Sequence, residues 1–287
     1  MIMSTTVNQP STKLRLNWLW GVVGVAKLEI QRSLTTARIL TWLAMVLFPV
    51  TIVALTVWQI HQFQANFDEA QKALADDQSK FAFSMMLYVL LPQVVTPLGL
   101  LLWATPVVSS ELEGQTWIYA VTRANGRRAV LLGKYFVAVV WSCSSSIVSA
   151  SIAIPITGMQ SSVLAWFVIV GLILLSSVAY AALFVLIGTL FQRRAMITAF
   201  VYMIGVETFL SLVPATINQL TVSFRLRSIL FQSMELEITS ANQRAQWFLD
   251  TTPVWQSVCY LGLYAVILLS ISLWRVQASQ YTWQSEL

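Results

Sequence analysis

Long apolar segments alternate with shorter polar ones along this chain, and the lengths of the apolar segments predict helices that cross a membrane. A spanning helix needs about 20 mostly apolar residues. Six segments reach that length, at 39–60, 84–108, 135–156, 162–190, 196–215 and 254–274. We therefore predict an all-α, polytopic membrane protein whose single transmembrane domain occupies residues 1–287.

The residues before the first span have mixed polarity. Helical spacing places Val22, Ala26 and Ile30 towards one face and Lys27 towards another. Amphipathic helices with tryptophan and basic residues lie along the membrane interface. Residues 1–38 are therefore expected to form a cytoplasmic tail followed by an N-terminal interfacial helix.

The second span contains several residues that disturb a helix. Pro92, Pro97 and Pro106 each remove a backbone N–H, and Gly99 weakens the helix between them. Lipid cannot replace a lost backbone hydrogen bond, so these positions are expected to face protein or a water-filled cavity.

Composition and charge agree with a membrane location. Hydrophobic residues make up 57% of the chain and charged residues 10%, and the mean hydropathy is +0.71, far from the balance of a soluble domain. Lys and Arg collect on the cytoplasmic side of membrane proteins, and 12 of the 17 lie before span 1, between spans 2 and 3, between spans 4 and 5, or after span 6. Both termini are therefore predicted to be cytoplasmic. The net charge of +5 requires no nucleic-acid partner.

Motifs of soluble catalysis are missing from the sequence. It contains no His-Glu-x-x-His, no Cys-x-x-Cys and no Gly-x-Ser-x-Gly, which argues against zinc, redox and serine-hydrolase chemistry. Gly126 and Gly133 are too far apart for a phosphate-binding loop, and Tyr135 stands where that loop needs Ser or Thr. We predict no catalytic residue, no metal site and no cofactor bound directly by this chain.

Glu207 is the only acidic residue well inside a predicted span. A charge within the membrane costs at least a few kcal/mol unless it is paired, protonated or hydrated. Three interpretations remain open: a substrate-path or proton-linked site, a hydrogen bond between packed helices, and a position near the outer rim.

The connection between the fifth and sixth spans, residues 216–253, is long. Within it Leu226, Leu230 and Met234 share helical spacing. We predict a short helix in this outer loop, which rests on the membrane surface or dips into it.

Residues 109–134 form a polar, charged loop between two very apolar segments. The loop combines Glu111 and Glu113 with the aromatic residues Trp117 and Tyr119 and, later, Arg127. Aromatic residues and Arg are preferred anchors of protein interfaces, so the loop is predicted to bind a partner protein. The alternative is a surface helix on lipid whose basic residues bind lipid phosphates.

This loop resembles the segment between helices 2 and 3 of ABC-2 type transporter permeases. That segment combines Glu-x-Glu-x-Gly-Thr, an apolar helix, a turn that ends in Arg, and Leu-Gly-Lys. The matching residues are Glu111, Glu113, Arg127, Gly133 and Lys134. The likeness extends to the interfacial helix, the six spans and the long outer loop, and so to nearly the whole chain.

The resemblance implies an ABC-2 (type V exporter-like) topology and a permease subunit of an ATP-driven exporter in the bacterial inner (plasma) membrane. Such a subunit pairs with a second copy of itself, and a separate ABC ATPase subunit that holds ATP and magnesium docks beneath each copy. The residues predicted to dock the ATPase are Glu111, Glu113, Trp117, Tyr119 and Arg127. The chain itself would be no enzyme. Its substrate stays open among a lipid, a hydrophobic drug, an ion, a peptide and a glycan precursor.

Two other classes of protein are alternatives to the exporter. An ion-coupled secondary transporter would use Glu207 as its coupling site and bind no ATPase, but its matched pair of broken helices in inverted halves is not evident in the sequence. A membrane-embedded enzyme acting on lipid would need polar groups clustered at one depth, and only Glu207 and the serines of the third span are available.

Overall fold

The computed structural model describes residues 13–64, 81–113, 126–159, 162–210, 219, 221–234 and 252–278. Every regular element in these ranges is helical, as predicted. In chain order the helices are α1 Lys13–Ser33, α2 Thr36–Gln64, α3 Phe81–Val107, α4 Ser109–Glu113, α5 Gly126–Ile156, α6 Ser162–Leu190, α7, α8 Val222–Ser233 and α9 Val254–Ala278. Helix α7 is an α-helix over Ala195–Tyr202 and a π-helix over Met203–Leu210.

Within the described ranges, five helices are long and apolar enough to cross a membrane: α2, α3, α5, α6 and α9. They coincide with five of the six predicted spans, so the chain is an integral membrane protein. The predicted span 196–215 differs, because its apolar stretch Ala195–Glu207 is shorter than a span and the residues after Leu210 lie outside the described ones. Six spans are therefore not confirmed.

Helix α6 is the centre of the bundle. It packs against α3, α5, α7, α8 and α9, and 67% of its most apolar part is buried, compared with 17% for α2 and 22% for α9. Large apolar side chains on these two peripheral helices stay exposed, among them Trp58 on α2 and Leu263 and Trp274 on α9. Their exposure fits contact with lipid.

The entry helix α1 is separate from the first span and packs against the beginning of α5. A glycine makes this approach possible, since a Cβ added to Gly133 would lie 2.7 Å from Val25 Cγ1 and 3.3 Å from the Ala26 nitrogen. At the end of α1, Trp141 Nε1 donates a hydrogen bond of 2.8 Å to Ser33 Oγ. The glycine of the Leu-Gly-Lys sequence therefore has a packing role.

Helix α3 is irregular where its prolines lie, and neighbouring helices supply the missing hydrogen bonds. Residues Val89–Val95 form a π-helix. In a π-helix the Pro92 carbonyl would accept a hydrogen bond from the backbone N–H of residue 97, but residue 97 is a proline and has no N–H. Ser176 Oγ of α6 donates to that carbonyl instead, at 2.6 Å. Pro92, Pro97 and Gly99 are buried, so the prediction that they face protein is confirmed.

A close contact between α3 and α6 gives a first test of this packing. A Cβ added to Gly188 would collide with the carbonyl oxygen of Thr105, whereas one added to Gly171 on the same helix would meet nothing within 4 Å. Backbone cannot move aside as a flexible side chain can. Gly188→Ala should therefore lower the free energy of unfolding by about 1–3 kcal/mol, and Gly171→Ala should leave it unchanged or slightly higher, as measured by thermal unfolding in detergent. Equal stability of the two variants would contradict the packing.

Candidate functional site

The loop end of the bundle, where α3 and α9 end and α5 begins, contains a buried ion pair. Lys134 Nζ lies 2.6 Å from Glu111 Oε1, and the two side chains are 6% and 10% exposed. Lys134 Nζ also donates to Ser110 Oγ at 2.6 Å and to the Val107 carbonyl at 3.3 Å. One lysine of α5 therefore holds the end of α3 and the short helix α4.

Two arginines in the first turn of α5 bind the end of the last helix. Arg127 Nη1 donates to the carbonyl oxygens of Val276 and Gln277, at 3.4 and 3.2 Å. Arg128 Nη2 donates to Gln277 Oε1 at 2.8 Å. The last carbonyls of a helix have no partners within it and carry partial negative charge, so arginines are favourable there. Arg127 thus acts as a cap for α9.

The predicted docking residues are only partly within the described structure. Glu111 and Arg127 are engaged with α5 and α9, as above. The side chain of Glu113 and all of Trp117 and Tyr119 lie outside the described residues, so their docking role stays a prediction.

A second polar cluster surrounds Glu207, which is 4% exposed. Glu207 Oε2 accepts from the Ser223 backbone N–H at 3.0 Å, from Ser223 Oγ at 2.8 Å and from Tyr180 Oη at 3.0 Å. Glu207 Oε1 accepts from the Val222 N–H at 3.4 Å. The carboxylate therefore caps the first turn of α8 and joins it to α6.

The start of α8 shows why a carboxylate belongs there. Thr221 is its N-cap, and the Thr221 side chain accepts from the Phe224 N–H at 3.2 Å. The N–H groups of Val222 and Ser223 remain without partners inside the helix, and Glu207 accepts from both. Partial positive charge at a helix N-terminus further favours an anion at this place.

The Glu207 cluster continues to α3. Tyr88 Oη donates to the Ser223 carbonyl at 2.7 Å, and Gln93 Nε2 donates to Tyr88 Oη at 2.7 Å. Gln93 belongs to the π-helical part of α3, and Glu207 belongs to that of α7. Two π-helical segments therefore meet at the first turn of α8.

Helix α8 is buried among the longer helices and does not rest on the surface of the bundle. Both of its long sides carry buried residues, including Leu226 and Leu230, and it packs against α6 and α9. In the middle of the helix Ser228 Oγ donates to the Thr252 carbonyl at 3.0 Å and accepts from the Thr252 N–H at 2.8 Å. The predicted helix exists, and its burial favours the expectation that it dips inwards.

These contacts favour one interpretation of Glu207 that the sequence left open, the hydrogen bond between packed helices, and a substrate-path or proton-linked role stays a prediction. The carboxylate is buried and accepts four hydrogen bonds, as expected for a charge that fixes packed helices. Glu207 was a candidate from the sequence, but its side-chain partners Tyr180 and Ser223 were not. Residues with hydroxyl groups are common in membrane spans, so these two did not stand out.

Comparisons with protein-family models, curated proteins and solved structures found no match for this chain. The class of the protein therefore follows from its own helices. It is an all-helical integral membrane protein, with a loop end tied by Lys134 and Arg127 and a buried carboxylate at the start of α8.

Proposed function

We propose that this chain is the permease subunit of an ATP-driven ABC transporter of the ABC-2 type, an exporter that forms the translocation path and docks a separate ATPase subunit at residues 109–134. The observation that carries the proposal is the ion pair between Glu111 and Lys134. These residues begin and end the motif on which the resemblance to ABC-2 permeases rests. Their pairing holds together the two ends of the loop.

The anchored ends of this loop suit the transmission of force. Residues 114–125 connect α4 to α5, so a load on them reaches Lys134, which binds α3 and α4, and Arg127, which binds α9. An ATPase that pushes on the loop would thus act on three helices through short polar contacts. On this proposal Glu111 and Arg127 position the loop, and Glu113, Trp117 and Tyr119 make the contact.

The test is to purify the tagged chain from its native membrane in mild detergent and identify the proteins that accompany it. We expect an ATPase subunit with a phosphate-binding loop, which holds ATP and magnesium, and two copies of each chain. Recovery of the chain without any ATPase in several mild detergents would overturn the proposal.

The contact residues can be tested once the ATPase is in hand. Trp117→Ala combined with Tyr119→Ala should weaken ATPase binding by about thirtyfold or more, because aromatic anchors at interfaces contribute about 2 kcal/mol or more. The matched control is Trp255→Ala, which changes an exposed tryptophan at the start of α9 and should leave binding unaltered. Binding can be followed by titration of the ATPase onto the immobilised permease. An unchanged affinity in the double variant would exclude this docking surface.

A further inference from the structure

Helix α8 carries two arginines that differ in how they are bound. Arg225 is fixed on three sides: its Nε donates to the Gln219 carbonyl at 2.9 Å, its Nη1 donates to Thr252 Oγ1 at 3.2 Å, and its guanidinium carbon lies 4.6 Å from the Tyr260 ring centroid. The protein therefore contacts the Arg225 guanidinium on three sides.

Arg227 has no such partners. Its Nη2 atom is buried and lacks a hydrogen-bond partner, and within the described part of the chain no ion pair neutralises its guanidinium. The Phe224 ring centroid lies 5.9 Å from its guanidinium carbon, and Tyr88 of α3 interacts with the guanidinium electrostatically. The residue as a whole is partly exposed, although Nη2 itself is buried.

An arginine in this position is costly without an anion. Charged side chains within membrane segments almost always pair with one another or line a functional path, and removing an anionic partner from a buried cation costs several kcal/mol. The buried carboxylate that contacts α8, Glu207, is already bonded to its first turn and to Tyr180. The other acidic residues among the described ones lie on α1 and α4, so within them Arg227 has no anionic partner.

The surroundings indicate the chemistry of an anionic ligand. The guanidinium carbons of Arg225 and Arg227 lie 5.8 and 5.9 Å from the Phe224 ring centroid, but residues two apart on a helix face different sides, so Arg227 is the cation left for a ligand. A guanidinium binds phosphate through paired N–H groups. Exposed apolar side chains at the start of α9, Trp255 and Val258, lie on the helix that packs against α8 and could contact acyl chains.

We propose that Arg227 forms a binding site for a phosphate group at the α8 end of the bundle, opposite the loop end. The phosphate can belong to a lipid headgroup or be free in solution, since the guanidinium recognises the same oxygens. The site is independent of the ATPase, because none of its residues lies near the loop end.

The experiment uses the full chain, freed of lipid and held in an uncharged detergent. The probes are phosphatidylglycerol, inorganic phosphate and diacylglycerol, which has acyl chains but no phosphate. Native mass spectrometry and thermal unfolding report binding. We expect saturable binding of phosphatidylglycerol and none of diacylglycerol. Inorganic phosphate that competes with the lipid would identify the headgroup oxygens as sufficient, whereas phosphate that fails to compete would show that the acyl chains are also required.

The variant Arg227→Gln separates this proposal from a structural role. It should weaken phosphatidylglycerol binding by about tenfold or more, whereas Arg275→Gln in the last turn of α9 should not. Because Arg227 Nη2 has no hydrogen-bond partner within the described residues, Arg227→Gln should also unfold at the same temperature as the parent chain or higher when no phosphate is present. Unchanged lipid binding in Arg227→Gln, or a loss of stability without ligand, would overturn the proposal.

Discussion

Replacing Lys134 by Met should lower the free energy of unfolding by about 3–5 kcal/mol, the loss expected when one partner of a buried ion pair is removed. The Glu111 carboxylate would lose the ammonium 2.6 Å away, at a place where its side chain is 10% exposed. Ser110 and the Val107 carbonyl would lose the same donor. Denaturant unfolding of the purified chain in detergent measures the effect.

The pair itself should contribute much less than the single variant suggests. Replacing both partners, as Lys134→Met with Glu111→Leu, leaves no buried charge, so most of the lost stability should return. Lys27→Met, which removes an exposed lysine from α1, is the matched control and should have little effect. If Lys134→Met unfolded like the Lys27 control, the ion pair would not hold the two ends of the loop.

The same ion pair shows where prediction from sequence is weakest. The predicted bounds of helix α6, residues 162–190, agree with the structure, because an uncharged apolar segment is bordered by polar residues on both sides. Helix α5 was predicted to begin at Tyr135 but begins at Gly126. Its first turns carry Arg127, Arg128 and Lys134, which look like loop residues until their partners on α3, α4 and α9 are known. A hydropathy profile shows that these residues are charged, but it does not show which groups of other helices bind them.

Helix α8 and the Glu207 cluster show a similar limit. Helical spacing predicted α8, and the acidic residue within an apolar segment marked Glu207. The contact between them could not be predicted, since Val222 and Ser223 lie beyond the end of α7 in a segment expected to be an outer loop. The sequence also left open whether α8 rests on the membrane surface or dips into it, and packing against α6 and α9 buries the helix.

Glu207→Leu should destabilise the chain by about 3 kcal/mol or more, because a buried donor without an acceptor costs about 1–3 kcal/mol. The variant leaves the backbone N–H groups of Val222 and Ser223 without an acceptor. The hydroxyl groups of Tyr180 and Ser223 are less affected, since they lie 3.2 Å apart and can bond to each other. The first turn of α8 should therefore loosen, which hydrogen exchange of the α8 amides would detect along with the fall in unfolding temperature.

Two milder variants distinguish this capping role from a coupling site for protons or ions. Glu207→Gln keeps one oxygen for the two N–H groups, so it should lose only about 1 kcal/mol, and Tyr180→Phe, which removes a single donor, should lose a similar amount. If Glu207 only caps α8, transport should fall in proportion to stability across the three variants, and Glu207→Gln should stay active. A Glu207→Gln chain that is stable but unable to transport would instead make the negative charge itself part of the mechanism. That result would favour an ion-coupled carrier over an exporter driven by ATP.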